Sequence, residues 1–164
     1  GLKLGDHARS LSVVLREQSL TASTHFFNPS SGSSMSLSMS SNLFDELALH
    51  EAHFSKAPSA FFYAWKRGAE LAGADYFGDG TQQSLSVAID KWELRPRMQH
   101  IAKAMRFMSP GQRMFLAAMT SFYNSQEGGK LLRRAGFEGL SDLGGLDLER
   151  RKVIAALVLN YTGF

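Results

Sequence analysis

The chain reads as mainly α-helical: a compact array of six to seven helices around a central helix at about residues 110–124, preceded by a small N-terminal extension of strand character. Three observations carry this reading. Apolar residues recur with a helical period from residue 42 to the end. Ser109-Pro110-Gly111-Gln112 is a complete helix start, with Ser at the N-cap, Pro at the first helical position and Gln three residues past the cap. The periodic segments are joined by connections of roughly two to ten residues, which suits a compact array better than an extended coiled coil.

Residues 1–41 form the extension. Leu11, Val13 and Leu15 alternate with Ser12, Val14 and Arg16; Leu20, Ala22, Thr24 and Phe26 alternate in turn; Met35, Leu37 and Met39 alternate with Ser36, Ser38 and Ser40. A period of two is the strand signature, and Asn28-Pro29-Ser30-Ser31-Gly32-Ser33 is turn chemistry, so a small antiparallel meander is expected. The competing reading makes Leu11, Val14 and Leu15 one face of a short helix followed by a Ser-rich linker.

The helical domain is assigned to residues 42–164. Asn42 is expected to cap a helix to about Phe54, with Phe44, Leu47 and Phe54 turned inward. Pro58 is expected to open the next, which carries Phe61, Phe62, Trp65, Ala69 and Ala72. A Gly-rich loop, 73–81, leads to a helix from Gln82 to Leu94 with Leu85, Ile89 and Trp92 on one stripe. Pro96 must end it, because it lacks the backbone donor. Met98, Ile101, Met105 and Met108 repeat the stripe.

In the central helix Met114, Phe115, Leu116, Met119, Phe122 and Tyr123 cover an arc of roughly 200°, so it needs neighbours on several sides. The Met98–Met108 and Val153–Tyr161 segments are the natural ones. Ala117, Thr120 and Ser121 form a small-residue side where a second helix approaches closely or, if it is open, a cleft or homodimer contact forms. Asn124–Gly129 reads as a turn and Lys130–Ala135 as a short helix ended by Gly136, with Phe137 folding back. Asp147 caps a last helix that turns Val153, Ile154, Leu157, Val158 and Tyr161 inward.

Composition narrows the chemistry. The 164 residues suit one domain that buries about 70% of its unfolded surface without staples. The absence of cysteine excludes disulfides, thiolate metal sites and cysteine nucleophiles. No apolar run approaches the roughly 20 residues of a membrane span, and no apolar segment follows a basic start, so neither membrane insertion nor a secretory leader is expected. A cytoplasmic location is the corresponding expectation. Charge is uneven: residues 1–90 hold six Lys/Arg against nine Asp/Glu, and residues 91–164 hold twelve against six.

Four groups of side chains are candidates for function. Phe61, Phe62, Tyr63 and Trp65 are too many aromatics for one helix face, and any that stay exposed would mark a partner surface or an apolar ligand groove. Arg97, Lys103, Arg106, Arg133, Arg134, Arg150 and Arg151 make the C-terminal half basic; on one face they would bind nucleic acid or another polyanion, and scattered they are solvated charges. Glu46, His50 and His53, at spacings of four and three, share a helix stripe and offer a metal two imidazoles and a carboxylate. A further ligand, from His25, His100 or Asp90, has no sequence signal. Leu143-Gly144-Gly145-Leu146-Asp147 has the outline of a phosphate-cradling hairpin, but the Asp147 carboxylate would take the free helix donors itself.

Asp75-Tyr76-Phe77-Gly78-Asp79-Gly80 resembles a calcium loop only in outline, since Phe77 and Ser86 occupy two ligand positions. There is no Gly-x-Ser-x-Gly elbow and no phosphate-binding Gly-rich loop with its lysine. No cofactor is implied. The expectation is therefore a non-enzymatic binding or accessory protein that recognises a protein partner or a small apolar ligand. Polyanion binding and a metal-dependent enzyme built on Glu46, His50 and His53 are the alternatives.

Overall fold

The computed structural model describes the chain from Ser34 to Phe164, with side chains from Asn42. The chain divides into two units, Gly1–Asn42 and Leu43–Phe164, and the hydrophobic core lies in the second. The described residues are mainly helical, with six α-helices and three short 3₁₀ turns. They contain no strand, only an isolated bridge between Phe77 and Pro96. None of these helices is long and apolar enough to cross a membrane. The alternating runs at 11–15 and 20–26 lie outside the described residues.

Helix α1 is a single helix, Ser34–Ala72. It corrects three expectations. Met35–Ser40 is helical, because Met and Leu are strong helix formers and the segment is continuous with a long helix. Asn42 is interior rather than a cap, and Pro58 interrupts nothing. A mid-helix proline removes one backbone hydrogen bond at a cost of about 3 kcal/mol. Here one buried stripe, Ala57, Phe61, Ala64, Trp65 and Ala69, begins beside Pro58 and holds the following turns against the core. Phe44, Leu47 and Phe54, expected inward, are exposed.

After α1 the chain turns through Gly73–Thr81, including a 3₁₀ turn, Ala74–Tyr76. The turn is closed from outside by Arg97, whose backbone N–H donates to the Tyr76 carbonyl (2.8 Å) and whose guanidinium donates to the Asp75 carbonyl (3.0 Å). Gly80 has a φ of +90°, which favours glycine, and the movable Arg97 guanidinium lies over it.

Helix α2, Gln82–Val87, is capped by Thr81 and stops well short of Leu94. Asp90 Oδ1 accepts the N–H groups of Trp92 (2.7 Å) and Glu93 (3.1 Å), and Glu93 Oε2 accepts that of Ile89 (2.8 Å). These local bonds replace the helical ladder. Of the expected stripe only Leu85 is buried; Ala88 and Leu94 join it, while Ile89 and Trp92 face solvent.

Helix α3, Met98–Ala104, runs into a 3₁₀ turn, Met105–Phe107. Ile101 and Met105 are buried, with Met98 and Met108 packed at the margin, as the stripe predicts. Helix α4, Pro110–Tyr123, opens with the full capping box: Ser109 Oγ accepts the Gln112 N–H and Gln112 Oε1 accepts the Ser109 N–H. Met114 to Thr120 are all buried, which spans nearly two turns and leaves no side of that segment uncovered.

Helix α5, Ser125–Ala135, occupies what reads in sequence as a turn. Asn124 caps it by accepting the Glu127 N–H (3.0 Å). Gly128 persists inside the helix because a Cβ there would run into the Ser121 backbone of α4. The small-residue side of α4 is thus packed against α5. Gly136, at φ +88°, ends α5; the Phe137 N–H returns to the Leu132 carbonyl (3.0 Å), and Phe137 packs on the core.

A 3₁₀ segment, Leu140–Gly145, leads to α6, Leu148–Leu159, capped by Asp147. Val153, Ile154 and Leu157 are buried. Val158 is exposed instead, and Tyr161 is half-exposed against the Phe61 and Phe122 rings. Where α6 and α4 meet α1, the missing side chain of Gly68 makes room for Met119 and Val153.

A candidate binding groove

The expected aromatic surface divides across α1. Phe61 and Trp65, four residues apart, are 2% and 0% exposed, stacked with ring centroids 6.0 Å apart. They belong to the core, which corrects their assignment to a surface. Trp65 Nε1 donates to the Leu94 carbonyl (3.0 Å), so even its polar atom is satisfied inside. Phe62 and Tyr63 lie on the other side, Phe62 half-buried and Tyr63 71% exposed.

Those two rings form one wall of a groove of about 580 Å³. Pro58, Phe62 and Lys66 follow one another at spacings of four along α1, with Ser59 and Tyr63 beside them, so one helical stripe supplies the wall. The facing wall is Ala88–Trp92, where Ile89 is 79% and Trp92 46% exposed. Exposed aliphatic and aromatic side chains therefore face each other across an open cleft.

The facing wall is irregular backbone, yet it is held firmly. Lys66 reaches across and donates to the carbonyls of Ser86 (2.7 Å) and Ala88 (3.1 Å), satisfying acceptors that the end of α2 leaves open. The Asp90 and Glu93 bonds fix the turn beyond. Lys91 then ties the wall to the C-terminal residues: its ammonium donates to the Gly163 carbonyl (2.5 Å) and sits 4.4 Å from the Phe164 ring centre and 5.1 Å from that of Trp92. Burial lowers its pKa from the ordinary lysine value. Phe164 inserts between Trp65, Trp92 and Tyr123, with ring centroids 4.9–5.2 Å away.

The other candidates are arranged differently. Glu46 and His50 are exposed, and His53 Nε2 lies 3.1 Å from the Leu159 carbonyl, to which it donates. Among the described residues no three His, Cys, Asp or Glu side chains come together as a metal would require. Asp79, the calcium-loop candidate, accepts the N–H (2.8 Å) and hydroxyl (2.7 Å) of Thr81, and those two bonds hold its pKa below the ordinary carboxylate value. Asp147 accepts the backbone N–H of Arg150 (3.0 Å) and its guanidinium, which lowers its pKa in the same way. Asp147 thus caps α6 through the Arg150 N–H.

Of the basic residues, Arg97 and Lys103 meet at a shallow depression on α3 beside His100. Arg97 donates to the Asp75 carbonyl (3.0 Å), Arg134 donates to the Ala102 carbonyl (3.2 Å), Arg106 lies over the Phe107 ring, and Arg150 is paired with Asp147. Arg133 and Arg151 are exposed, on α5 and α6 respectively.

Among the groove residues that sequence reasoning missed are Lys66, Ile89, Lys91 and Trp92. The available signal was Asp90, whose short acceptor favours turns over helix interiors. Compared with protein-family models, curated proteins and solved structures, the chain matches none.

Proposed function

We propose that this is a non-enzymatic binding protein that recognises a short apolar segment of a protein partner in the groove between Phe62–Tyr63 and Ile89–Trp92. One observation carries the reading: two large aromatic side chains and an isoleucine stay exposed around a groove whose walls are fastened by Lys66, Asp90 and Glu93. Tyr and Trp combine large contact area with few rotatable bonds, which makes them frequent energetic anchors of interfaces. Because the wall is already held in place, binding would require little ordering of the groove, and more of the contact energy remains as affinity. An open cleft suits anchor side chains of a segment better than enclosure of a small molecule.

The reading is tested by selecting binders from a random peptide library on the wild-type protein. Affinities of the selected peptides are then measured on Trp92→Ala and Tyr63→Ala variants whose helical circular dichroism is intact. Each substitution is expected to weaken binding by about tenfold or more. Failure to select peptides, or peptides that bind both variants as tightly as wild type, overturns the reading.

A further inference from the structure

The groove wall that carries Trp92 is supported from outside the groove. Phe164 is not among the residues lining the groove; it lines a separate depression with Tyr123 and Tyr161. Its ring nevertheless stands edge-on to Trp92, at a centroid distance of 5.1 Å and an angle of 88°. Trp65 (5.2 Å) and Tyr123 (4.9 Å) meet the same ring, so Phe164 joins the wall to α1 and to the end of α4.

Residues 162–164 are held by side chains rather than by backbone. Among the described residues no backbone carbonyl accepts their N–H groups. Lys91, which lies next to Trp92 and lines the groove, donates to the Gly163 carbonyl and sits 4.4 Å from the Phe164 ring centre. Trp92 itself is 46% exposed and stands on irregular backbone, where no helical neighbour fixes its side chain. A binding side chain keeps one orientation only when packing locks its rotamer, and Phe164 is the aromatic ring packed on this one. Displacing Phe164 would also take cover from Trp65, which is fully buried, so the docked ring is the favoured state.

We propose that Phe164 is a positioning residue for the groove. It holds Trp92 in the orientation that the bound segment meets, so docking of Phe164 and binding in the groove favour one another by the same factor. The inference rests on the reading given to the groove above.

The experiment uses the whole protein and has two readouts. Trp92 is observed alone, in the Trp65→Phe background and without peptide, by time-resolved fluorescence anisotropy. Peptides selected on the wild-type protein are then titrated into Phe164 variants that keep both tryptophans. Phe164→Ala is expected to add a fast depolarisation of Trp92 and to weaken peptide binding by about fivefold or more. Phe164→Tyr restores the ring and should return both readouts to the wild-type values. Ser109→Ala, which removes the cap at the opposite end of α4 from Tyr123, should change neither, and so separates positioning from a general loss of stability. If Phe164→Ala fails to fold, Phe164→Leu, which keeps apolar bulk without the ring, decides by the same two readouts. Unchanged depolarisation of Trp92 in the folded variant overturns the inference. So does faster depolarisation with unchanged or tighter peptide binding; tighter binding would make Phe164 a competitor of the partner. If no peptide is selected, the groove reading falls and the inference with it, whereas a Phe164→Ala variant without effect on peptides in hand overturns the inference alone.

Discussion

Gly128 of α5 lies directly against the backbone of Ser121 in α4, so close that a Cβ at position 128 would collide with Ser121 N, Cα and Cβ together. Seven residues separate them in sequence, enough for α4 to end, Asn124 to cap the next helix, and α5 to return along the small-residue side of α4. The neighbouring Gly129 has no such obstacle, since only the flexible end of Arg133 comes within ordinary contact distance.

The two glycines therefore predict opposite signs. Gly129→Ala should stabilise the protein by roughly 0.5–1 kcal/mol, the ordinary helix-interior gain of alanine over glycine. Gly128→Ala receives the same propensity gain but must push two helix backbones apart, so a net loss of about 1–3 kcal/mol is expected. Urea unfolding of the two variants beside wild type measures both; stabilisation by Gly128→Ala would show that the helices do not approach as closely as described.

Ser109→Ala removes one half of the α4 capping box and Gln112→Ala the other. Each should cost about 1 kcal/mol or less, with Ser109 the larger. The two bonds close one reciprocal motif, so the double variant should lose less than the sum of the single ones. A double-mutant cycle from denaturant midpoints provides the check.

Three carboxylates are expected to contribute to the loss of stability in acid. Thr81 lowers the pKa of Asp79, the Gly139 and Glu138 N–H groups that of Asp142, and Arg150 that of Asp147, each from an ordinary 3.8. A depressed folded pKa stabilises the protein above the unfolded value. That contribution is lost as pH falls from about 5 through 3.8 and through the folded values below it. The Asp→Asn variant at each position should flatten this limb of the stability–pH curve and change nothing in its shape above about pH 6. Thermal unfolding between acid and neutral pH tests it.

The two tryptophans should report opposite environments. Trp65 is fully buried and Trp92 about half exposed. In Trp65→Phe the remaining emission should be red-shifted and readily quenched by acrylamide; in Trp92→Phe it should be blue-shifted and protected. Trp65→Phe also strips the Leu94 carbonyl of its donor, at an expected cost of about 1–3 kcal/mol, whereas Trp92→Phe should be near neutral in stability.

Most of the helical segments and several of their boundaries were legible in the sequence, because the signals are local. The Ser109 box, the Asp147 cap and the Gly136 stop each act within a few residues of chain. The groove was half legible: an excess of aromatics around residues 61–65 pointed to α1, and Phe62 and Tyr63 remain at its surface. Which two of the four would be buried depended on residues far along the chain, Leu94 beside Trp65 and Phe122 beside Phe61, and helical periodicity cannot supply that. Ile89 and Trp92 were placed on a core stripe because their spacing is helical, but the Asp90 and Glu93 side chains offered the backbone a better local set of partners.

By itself, then, the sequence determined that most of residues 42–164 is helical, where α4 and α6 begin, and that the Met98–Met108 stripe packs inward. Those outcomes depend on caps and periodic burial, whose free energies are settled among near neighbours. Only the tertiary structure decided that α1 would run through Pro58 and that Gly128 belongs inside a helix. In each case a locally unfavourable feature persists because contacts from distant parts of the chain outweigh it or give it a place.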